Sequence, residues 1–360
     1  MSFFLEVIRS RQGATSALLL ASALLDFLIG DPWHWPHPVQ FMGKAIALYS
    51  RLALAKVKAP WFLKLLGIGL AVLLIGGTGL LSWLSLQLLR QRVPFIAWIV
   101  EVILLASCFA GRSLRQAAED VLQPLGGDLD SGLDRDLGDD LDSDLPNAPA
   151  ASIDAEPAGL SVARERLSMY VGRDTHTLSA LEVRRAVLET ASENAVDGVF
   201  APLFFAILGG PFGLAAPLAL AYKAASTLDS MVGYKEAPYT DLGWFSAKFE
   251  DVLTWVPCRI SVLAIALLCG RPAHVLRLCR RDAPADPSPN AGWSECAYAA
   301  ALGVRLGGVN SYRGQIKIKP FLGDEERPIT NRAIAQAYQL TRRSFLLGLL
   351  LGIGYLWLLS

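Results

Sequence analysis

Six apolar segments constrain this chain more than any other feature of its sequence, because each approaches the length of a membrane-spanning helix. The segments are residues 14–30, 61–89, 94–111, 198–221, 252–270 and 345–359. A helix that crosses a bilayer needs about 20 mainly apolar residues, so the first, third and sixth segments lie near the lower limit. We therefore predict an all-α, polytopic membrane protein with five to six spans.

The composition supports this prediction and excludes other classes. Charged residues make up only 18% of the 360 residues, against about 25% in an ordinary soluble domain. Lysine plus arginine equals aspartate plus glutamate, 33 each, so no basic surplus indicates a nucleic-acid partner. The five cysteines are scattered without a CxxC pair, so neither a disulfide framework nor a zinc site is predicted.

We interpret residues 1–360 as one membrane domain that carries an acidic insertion at residues 125–159. That stretch is rich in Asp, Gly, Pro, Ala and Ser, and its low hydrophobicity and excess of acid predict disorder. A calcium loop is the alternative. It is disfavoured because the stretch lacks the spaced acidic ligands and terminal Glu of such a loop.

The distribution of Lys and Arg sets the expected orientation. Residues 271–343 are rich in both, so we place them in the cytoplasm and the protein in the cell membrane. Counting spans then places 112–197 in the cytoplasm but the polar segment 223–250 outside. A re-entrant pair broken at Gly209-Gly210-Pro211, with a similar break at Pro257, is the alternative. The sequence leaves this choice open.

An amphipathic helix before the fourth apolar segment is the first candidate for chemistry. Its charged residues recur every four positions, at Arg185, Glu189, Glu193 and Asp197. This spacing stacks them on one helix face, with Asn194 beside them. A solvated face with an Arg–Glu pair is the alternative interpretation.

Further polar residues flank the other segments. Arg173 and Lys223 are candidate phosphate contacts. The candidate magnesium ligands are Asp174, Glu193, Asp197 and Asp229. Carboxylates commonly bind magnesium together with the phosphate oxygens of a nucleotide. The alternative is that charges at span ends pair with each other. No Walker A loop, GxGxxG or HExxH motif occurs.

Two proline-containing turns complete the candidates. The first carries Asp31 and His37, with His37 a candidate base or phosphate contact; an interfacial turn anchored by Trp33 and Trp35 is the alternative. The second, residues 288–292, precedes a predicted helix start whose free amides would suit an anion.

The motifs together resemble the CobD/CbiB family of cobalamin biosynthesis, the membrane-bound adenosylcobinamide-phosphate (cobinamide) synthases. The motifs that carry the resemblance are Asp26-Phe27-Leu28-Ile29-Gly30-Asp31-Pro32, Pro36-His37-Pro38-Val39, Val171-Gly172-Arg173-Asp174-Thr175, Glu193-Asn194 with Asp197, Thr227-Leu228-Asp229-Ser230-Met231, Ser288-Pro289-Asn290-Ala291-Gly292-Trp293 and Leu306-Gly307-Gly308. They follow the family order over nearly the whole chain. Ser226 and Thr254 depart from the asparagines usual in the family.

The resemblance implies an acid–amine ligase that forms a C–N bond. It would join (R)-1-amino-2-propanol or its O-phosphate to a propionate carboxylate of adenosylcobyric acid, with ATP as co-substrate and Mg²⁺. No tightly bound cofactor is expected. Membrane lipid and other late corrinoid-pathway enzymes are the further expected partners.

The resemblance also distributes roles among the candidate residues. The catalytic candidates are His37, Glu189 and Glu193; the phosphate or nucleotide contacts are Arg173, Lys223, Arg259 and Asn290; the metal ligands are Asp174, Asp197 and Asp229; the substrate contacts are Asp31, Asn194, Ser288 and Trp293. An active site facing the cytoplasm would suit a large amphipathic corrin.

Two other classes of function remain alternatives. Acidic residues at membrane depth beside a Gly-Gly-Pro break are also found in secondary transporters. A non-catalytic scaffold that gathers corrinoid enzymes at the membrane is the second alternative.

Overall fold

The computed structural model describes residues 2–31, 37–126 and 159–359, and these residues are mainly helical. The first ten helices are α1 (Ser2–Leu28), α2 (Pro38–Lys56), α3 (Pro60–Ala71), α4 (Gly77–Arg92), α5 (Pro94–Ala106), α6 (Gly111–Leu122), α7 (Leu160–Ser168), α8 (Ala180–Ala195), α9 (Ala201–Gly209) and α10 (Ala215–Val232). The others are α11 (Trp244–Leu268), α12 (Pro272–Asp282), α13 (Ala291–Leu302) and α14 (Asn331–Leu358). Residues 127–158 of the predicted insertion lie outside the described residues, as do Trp33 and Trp35.

The predicted class is confirmed, but the span count is lower than predicted. Within the described ranges, three continuous helical rods are long and apolar enough to cross a membrane: Pro60–Arg92, Ala180–Phe212 and Trp244–Leu268. The pair Pro94–Ala106 and Gly111–Leu125, bent by 41°, would make a fourth. The first predicted segment lies in a shorter apolar helix, Gln12–Leu28. The sixth is the apolar end of α14, whose first half is polar.

Exposed apolar side chains mark the surface that faces lipid. Leu73, Leu81 and Leu88 in the Pro60–Arg92 rod are 71%, 66% and 64% exposed, and Phe95 at the start of α5 is 73% exposed. Monomeric soluble proteins rarely expose contiguous apolar surfaces of this extent. The rod therefore presents to its surroundings the kind of surface that a bilayer covers.

The fourth predicted span is divided by a reversal of the chain. A 3₁₀ turn at Gly210–Phe212 follows α9, and Gly213 then adopts φ of 69°, in the left-handed region that glycine tolerates. α10 packs back along α9. In contrast, α11 continues through Pro257 without a break. The chain therefore reverses at the Gly-Gly-Pro sequence but not at the proline of the next segment.

A β-hairpin is a feature of the described fold that the sequence did not predict. Strands β1 (Leu306–Tyr312) and β2 (Gln315–Leu322) pair antiparallel, with Val309 opposite Ile318 and a register irregularity between Leu306 and Gly308. Arg313 and Gly314 form the turn with φ of 53° and 76°. The hairpin packs against α8, α12 and α13.

Two glycines fix the loop at residues 233–243, which joins α10 to α11. A Cβ atom on Gly67 of α3 would lie 2.0 Å from the Leu242 carbonyl oxygen. A Cβ atom on Gly243 would lie 1.6 Å from the Val232 carbonyl oxygen. No side chain fits either space, so both ends of the loop are packed directly against backbone.

We expect Gly67→Ala to destabilise the protein by about 1–3 kcal/mol, because the added methyl group would displace the Leu242 backbone. Gly69→Ala in the same helix is the matched control. Its nearest foreign atom would be the Tyr49 hydroxyl at 3.9 Å, and alanine favours a helix over glycine by up to about 1 kcal/mol. Thermal unfolding in detergent checks the pair. Equal losses in the two variants would contradict this packing account.

Candidate functional site

The hairpin, the 233–243 loop and four helices enclose a cavity of about 980 Å³. Its acidic lining residues are Glu193, Asp197, Asp229, Glu236, Glu250, Asp251 and Asp286. Its basic lining residues are Lys235, Arg313, Lys317 and Lys319. The segment 223–250 therefore shares one site with residues 286–320. This location disagrees with the simple span count that placed 223–250 on the opposite side of the membrane.

The end of α8 contributes the first two acids. α8 begins with a capping box formed by Ser179 and Glu182 and continues into a π-helical turn at Val196–Phe200. Pro202 has no N–H group to donate to the Gly198 carbonyl, and that carbonyl accepts a hydrogen bond from Ala110 N at 2.8 Å instead. Glu193 and Asp197 line the cavity at this irregular turn, the kind of feature that is frequent at functional sites.

Asp229 reaches the cavity from the last turn of α10. Its carboxylate lies over Gly233, where a Cβ atom would be 1.8 Å from Asp229 Oδ1. The Gly233 N–H group also donates to the Asp229 carbonyl at 2.7 Å, ending the helix. Gly233 is therefore needed for the carboxylate to fold over the start of the loop.

The first turns of α11 supply acids that the sequence reasoning missed. Glu250 is buried and accepts hydrogen bonds from the hydroxyl groups of Tyr222 and Thr254. Asp251 lies beside it on the cavity wall. Both residues directly precede an apolar segment, the same pattern that identified Glu193 and Asp197. The pattern could have identified them.

The turn before α13 forms another part of the wall. Ser288 Oγ accepts hydrogen bonds from Asn290 N at 3.3 Å and Ala291 N at 3.1 Å. Asn290 Nδ2 donates to the Asp251 carbonyl at 2.8 Å, which ties the turn to α11. Both predicted residues line the cavity, and their side chains are used to hold the turn in shape.

Arg259 and Trp293 support this turn from outside the cavity lining. The Arg259 guanidinium lies between the rings of Trp255 and Trp293, 5.1 and 4.5 Å from their centroids. It donates to the Pro289 carbonyl at 2.9 Å and to Asn290 Oδ1 at 3.3 Å. This placement favours a structural role over the predicted phosphate contact for Arg259 and substrate contact for Trp293.

Arg173 and Glu189 form a buried ion pair and do not line the cavity. Arg173 Nη2 donates to Glu189 Oε2 at 2.5 Å, and its Nη1 donates to Asn310 Oδ1 at 3.0 Å. Glu189 Oε1 accepts from Gly307 N at 2.9 Å. Only 5% of the Arg173 side chain and 1% of the Glu189 side chain are exposed. The pair attaches the hairpin to α8, which argues against the predicted phosphate and proton-transfer roles.

Asp174 is separated from the other predicted magnesium ligands. Its carboxylate accepts hydrogen bonds from Ser311 Oγ at 2.6 Å, Arg313 N at 2.9 Å and Gly314 N at 2.8 Å. The Ser311 hydroxyl and the two amides hold the pKa of Asp174 below its ordinary value. Asp174 therefore anchors the hairpin turn instead of joining Asp197 and Asp229.

His37 and Asp31 form a second polar pair outside the cavity lining. His37 Nε2 is 3.2 Å from Asp31 Oδ1, and His37 Nδ1 accepts from Val39 N to cap α2. Ser113 Oγ donates to Asp31 Oδ2 at 3.4 Å. The structure gives His37 a helix-capping role and does not bring it to the acids of the cavity.

Lys223 and Asn194 are two further predicted residues that lie outside the cavity lining. Lys223, on α10, lies within electrostatic reach of both Asp26 and Asp197. Asn194 Nδ2 donates to the Thr190 carbonyl at 2.8 Å, along its own helix. Neither residue lines the cavity.

The acids of the cavity are spread over its walls. Among residues 2–31, 37–126 and 159–359, no three acidic, histidine or cysteine side chains are close enough to form a metal site by themselves. Magnesium is commonly held by one or two carboxylates, several waters and the phosphates of a ligand. Asp197 and Asp229, which lie within electrostatic reach of each other, suit that mode of binding.

Comparison with known proteins finds one matching family model and several similar proteins. The family model described as CobD/Cbib protein matches residues 19–135 and 145–341. A Synechocystis protein named cobalamin biosynthesis protein CobD is 48% identical over 93% of this chain and 90% of its own length. A Photorhabdus laumondii protein of that name is 42% identical over 88% of this chain and 89% of its own length. A Salmonella typhimurium protein named cobalamin biosynthesis protein CbiB is 38% identical over 88% and 90%. No solved structure matches this chain.

The different positions of Glu189 and Glu193 on one helix face give a test. We expect Glu189→Ala to cost about 3–5 kcal/mol of stability, because it leaves the Arg173 charge buried without its partner. Glu193→Ala, its matched control on the same face, removes an exposed carboxylate and should change stability by less than about 0.5 kcal/mol.

Thermal unfolding measures this difference, and amide hydrogen exchange locates it. Exchange should accelerate in residues 306–322 of the Glu189 variant and stay unchanged in the Glu193 variant. An unchanged hairpin in the Glu189 variant would show that the ion pair does not attach it.

Proposed function

The chain belongs to the CobD/CbiB family of cobalamin-biosynthesis proteins, and we propose that it is the ligase that forms an amide on the corrinoid. In this reaction a propionate carboxylate of adenosylcobyric acid is joined to (R)-1-amino-2-propanol or its O-phosphate, and ATP is consumed. The observation that carries the proposal is the cavity, which combines acidic and basic side chains beside apolar helices. A membrane-bound enzyme that condenses two charged substrates with a nucleotide requires such a combination.

The chemistry explains why both kinds of charge are needed. A carboxylate is a poor acyl donor, so one of its oxygens would attack the terminal phosphorus of ATP and release ADP. The amine nitrogen would then attack the carbonyl carbon of the acyl phosphate, and phosphate would leave as the amide forms. Catalysis of such steps consists mainly of positioning and of stabilising the phosphoryl charge.

The basic residues are suited to the anionic groups of the substrates. Lys235, Arg313 and Lys317 are exposed at the cavity, and Lys319 is partly buried in its wall. Arg and Lys bind phosphate and carboxylate oxygens through charge-assisted hydrogen bonds. We assign Lys235, Arg313 and Lys319, in place of Arg173 and Arg259, to the phosphoryl groups and the propionate, because Lys317 is already paired with Glu236.

The acidic residues are suited to the metal and the amine. Asp197 and Asp229 would hold Mg²⁺, which neutralises the charge of the phosphoryl oxygens when it is bound. Glu193 is exposed to the cavity and would accept the proton that the amine must lose before it attacks. Of the three predicted catalytic residues, Glu193 is the one that lines this cavity.

The size of the cavity agrees with one substrate inside and one at its opening. About 980 Å³ is at the upper end of the range for drug-sized ligands. A nucleotide or the small amine would therefore be enclosed, and the large corrin would lie outside with one propionate extending inward. An active site on the cytoplasmic side of the cell membrane would receive ATP directly.

We expect Glu193→Gln and Asp229→Asn each to lower the rate of amide formation about 100-fold or more, since each removes a charge that assists the reaction. Purified protein in detergent would receive adenosylcobyric acid, aminopropanol or its O-phosphate, ATP and Mg²⁺. Mass spectrometry would quantify the amide. Glu119→Gln serves as the control, because Glu119 pairs with Arg115 on α6, away from the cavity.

Three outcomes separate the proposal from its alternatives. Product that is lost in the two cavity variants and retained in the Glu119 variant supports the ligase. Corrinoid binding without product by the wild-type protein would favour a scaffold. Movement of a corrinoid across reconstituted vesicles without product would favour a transporter.

A further inference from the structure

Lys319 differs from the other basic residues of the cavity in its burial. Its side chain is 28% exposed, whereas that of Lys317, two residues earlier in β2, is 48% exposed. Lys317 extends to Glu236 in the 233–243 loop, but Lys319 Nζ points to Glu295 Oε1 in α13 at 3.3 Å. Residues two apart on a strand share a face, so the two lysines reach the same cavity at different depths.

The hairpin is irregular at the point where Lys319 lies. The register shifts between Leu306 and Gly308, and Gly308 is the partner of Lys319 across the two strands. Gly308 adopts φ of 98°, and a Cβ atom there would be 3.0 Å from Arg185 Nη1. Irregular strand pairing commonly re-aims a side chain beside a functional site. Gly308 therefore contributes no side chain opposite Lys319, and the space that a Cβ atom would take is bordered by Arg185 and the ring of Phe321.

Glu295 is a fully buried residue that lies outside the cavity lining. It is 0% exposed, and its Oε2 atom has no hydrogen-bond partner in the described part of the chain. Its Oε1 atom accepts from Lys319. A carboxylate is expensive to bury without compensation. Burial therefore raises the pKa of Glu295, and the neighbouring Lys319 charge opposes the rise.

Lys319 lies among several carboxylates. Burial by itself would lower its pKa, but the surrounding acids outweigh that effect and raise it above the ordinary lysine value. The acids within electrostatic reach are Glu295, Glu193, Glu189 and Asp286. Lys319 therefore brings a positive charge to the acidic end of the cavity.

We infer that Lys319 binds a phosphoryl group in this cavity and that Glu295 is the positioning residue that holds its ammonium group. An ammonium group has three N–H donors, and the contact with Glu295 uses one of them. The other two are available to an anion inside the cavity. The inference rests on the proposed ligase function, which supplies two phosphoryl sources: the nucleotide and the phosphorylated amine.

The first test compares Lys319→Gln with Lys317→Gln, its matched control on the same face of the strand. Binding of a non-hydrolysable ATP analogue with Mg²⁺, and separately of aminopropanol O-phosphate, would be measured by calorimetry on purified protein in detergent. A charge-assisted hydrogen bond to phosphate predicts that Lys319→Gln weakens one ligand about 10- to 100-fold. The ligand that loses affinity identifies the source of the phosphoryl group.

The control should change the affinity for either ligand less than about threefold. The Lys317 ammonium is exposed and paired with Glu236. Solvent and the Glu236 carboxylate therefore weaken its attraction for a bound anion. If Lys319→Gln reduces the folded fraction, the double variant Lys319→Gln, Glu295→Gln removes both charges and keeps amide groups that can bond to each other. The same loss of affinity is expected from it.

The second test separates positioning by Glu295 from simple filling of the core. Glu295→Gln keeps an oxygen that accepts from Lys319 and should bind the phosphoryl ligand within about threefold of wild type. Glu295→Leu has a similar volume but no acceptor, so it should weaken binding about tenfold. In the Lys319→Gln background the Leu substitution should have no further effect on binding, as expected for two residues that act as one unit.

The outcomes distinguish the inference from the proposed function. If the wild-type protein forms the amide and Lys319→Gln binds both ligands as wild type does, the inference is wrong and the ligase stands. If Glu295→Leu binds normally, Glu295 only fills the core and its positioning role is wrong. If the wild-type protein binds neither phosphoryl ligand, the inference and the ligase mechanism both fail.

Discussion

The buried ion pair between Arg173 and Glu189 is the interaction on which the rest of the site depends. It links the segment before α8 to α8 itself, and through Asn310 and Gly307 it attaches the hairpin to the same helix. A buried pair contributes little net stability, but either charge left alone would be costly. The pair thus requires the hairpin to sit at one place on α8. From that place β2 extends its lysines over the cavity.

The second constraint is the path of the chain between α8 and α11. A continuous fourth span would have carried Asp229 and the 233–243 loop away from Glu193 and Asp197. The turn at residues 210–213 sends α10 back along α9 instead, and the three acids meet in one cavity. The π-helical turn at Val196–Phe200, with Pro202 just beyond it, places Asp197 where the helix is least regular. Short breaks in apolar helices therefore assemble the polar site.

Much of this arrangement was predictable from sequence, and the parts that were not depend on tertiary contacts. Apolar length predicted the membrane class, and four-residue spacing predicted one face from Arg185 to Asp197. Spacing could not show that residues on this face lie in different surroundings. Glu189 bonds to the hairpin, whereas Glu193 lines the cavity. Strand β2 alternates Ile and Lys at residues 316–319, a pattern typical of a strand with one polar face. Glu250 could have been identified from its position directly before an apolar segment, but the contact of Lys319 with Glu295 exists only after folding.

The acidic and basic side chains that line the cavity are not equal in number. Seven acidic residues line it against four basic ones, a surplus of three acidic residues. Like charges held together beside apolar helices oppose folding, and well-packed apolar residues in their place would be less costly. Local conflicts of this kind are expected at functional sites, where a ligand supplies the missing charge. In the proposed reaction Mg²⁺ would bring positive charge to the acids, and the phosphates of the nucleotide would meet the basic residues. Each sign of charge in the cavity would then face an opposite charge only in the bound state, and this local pairing would favour binding.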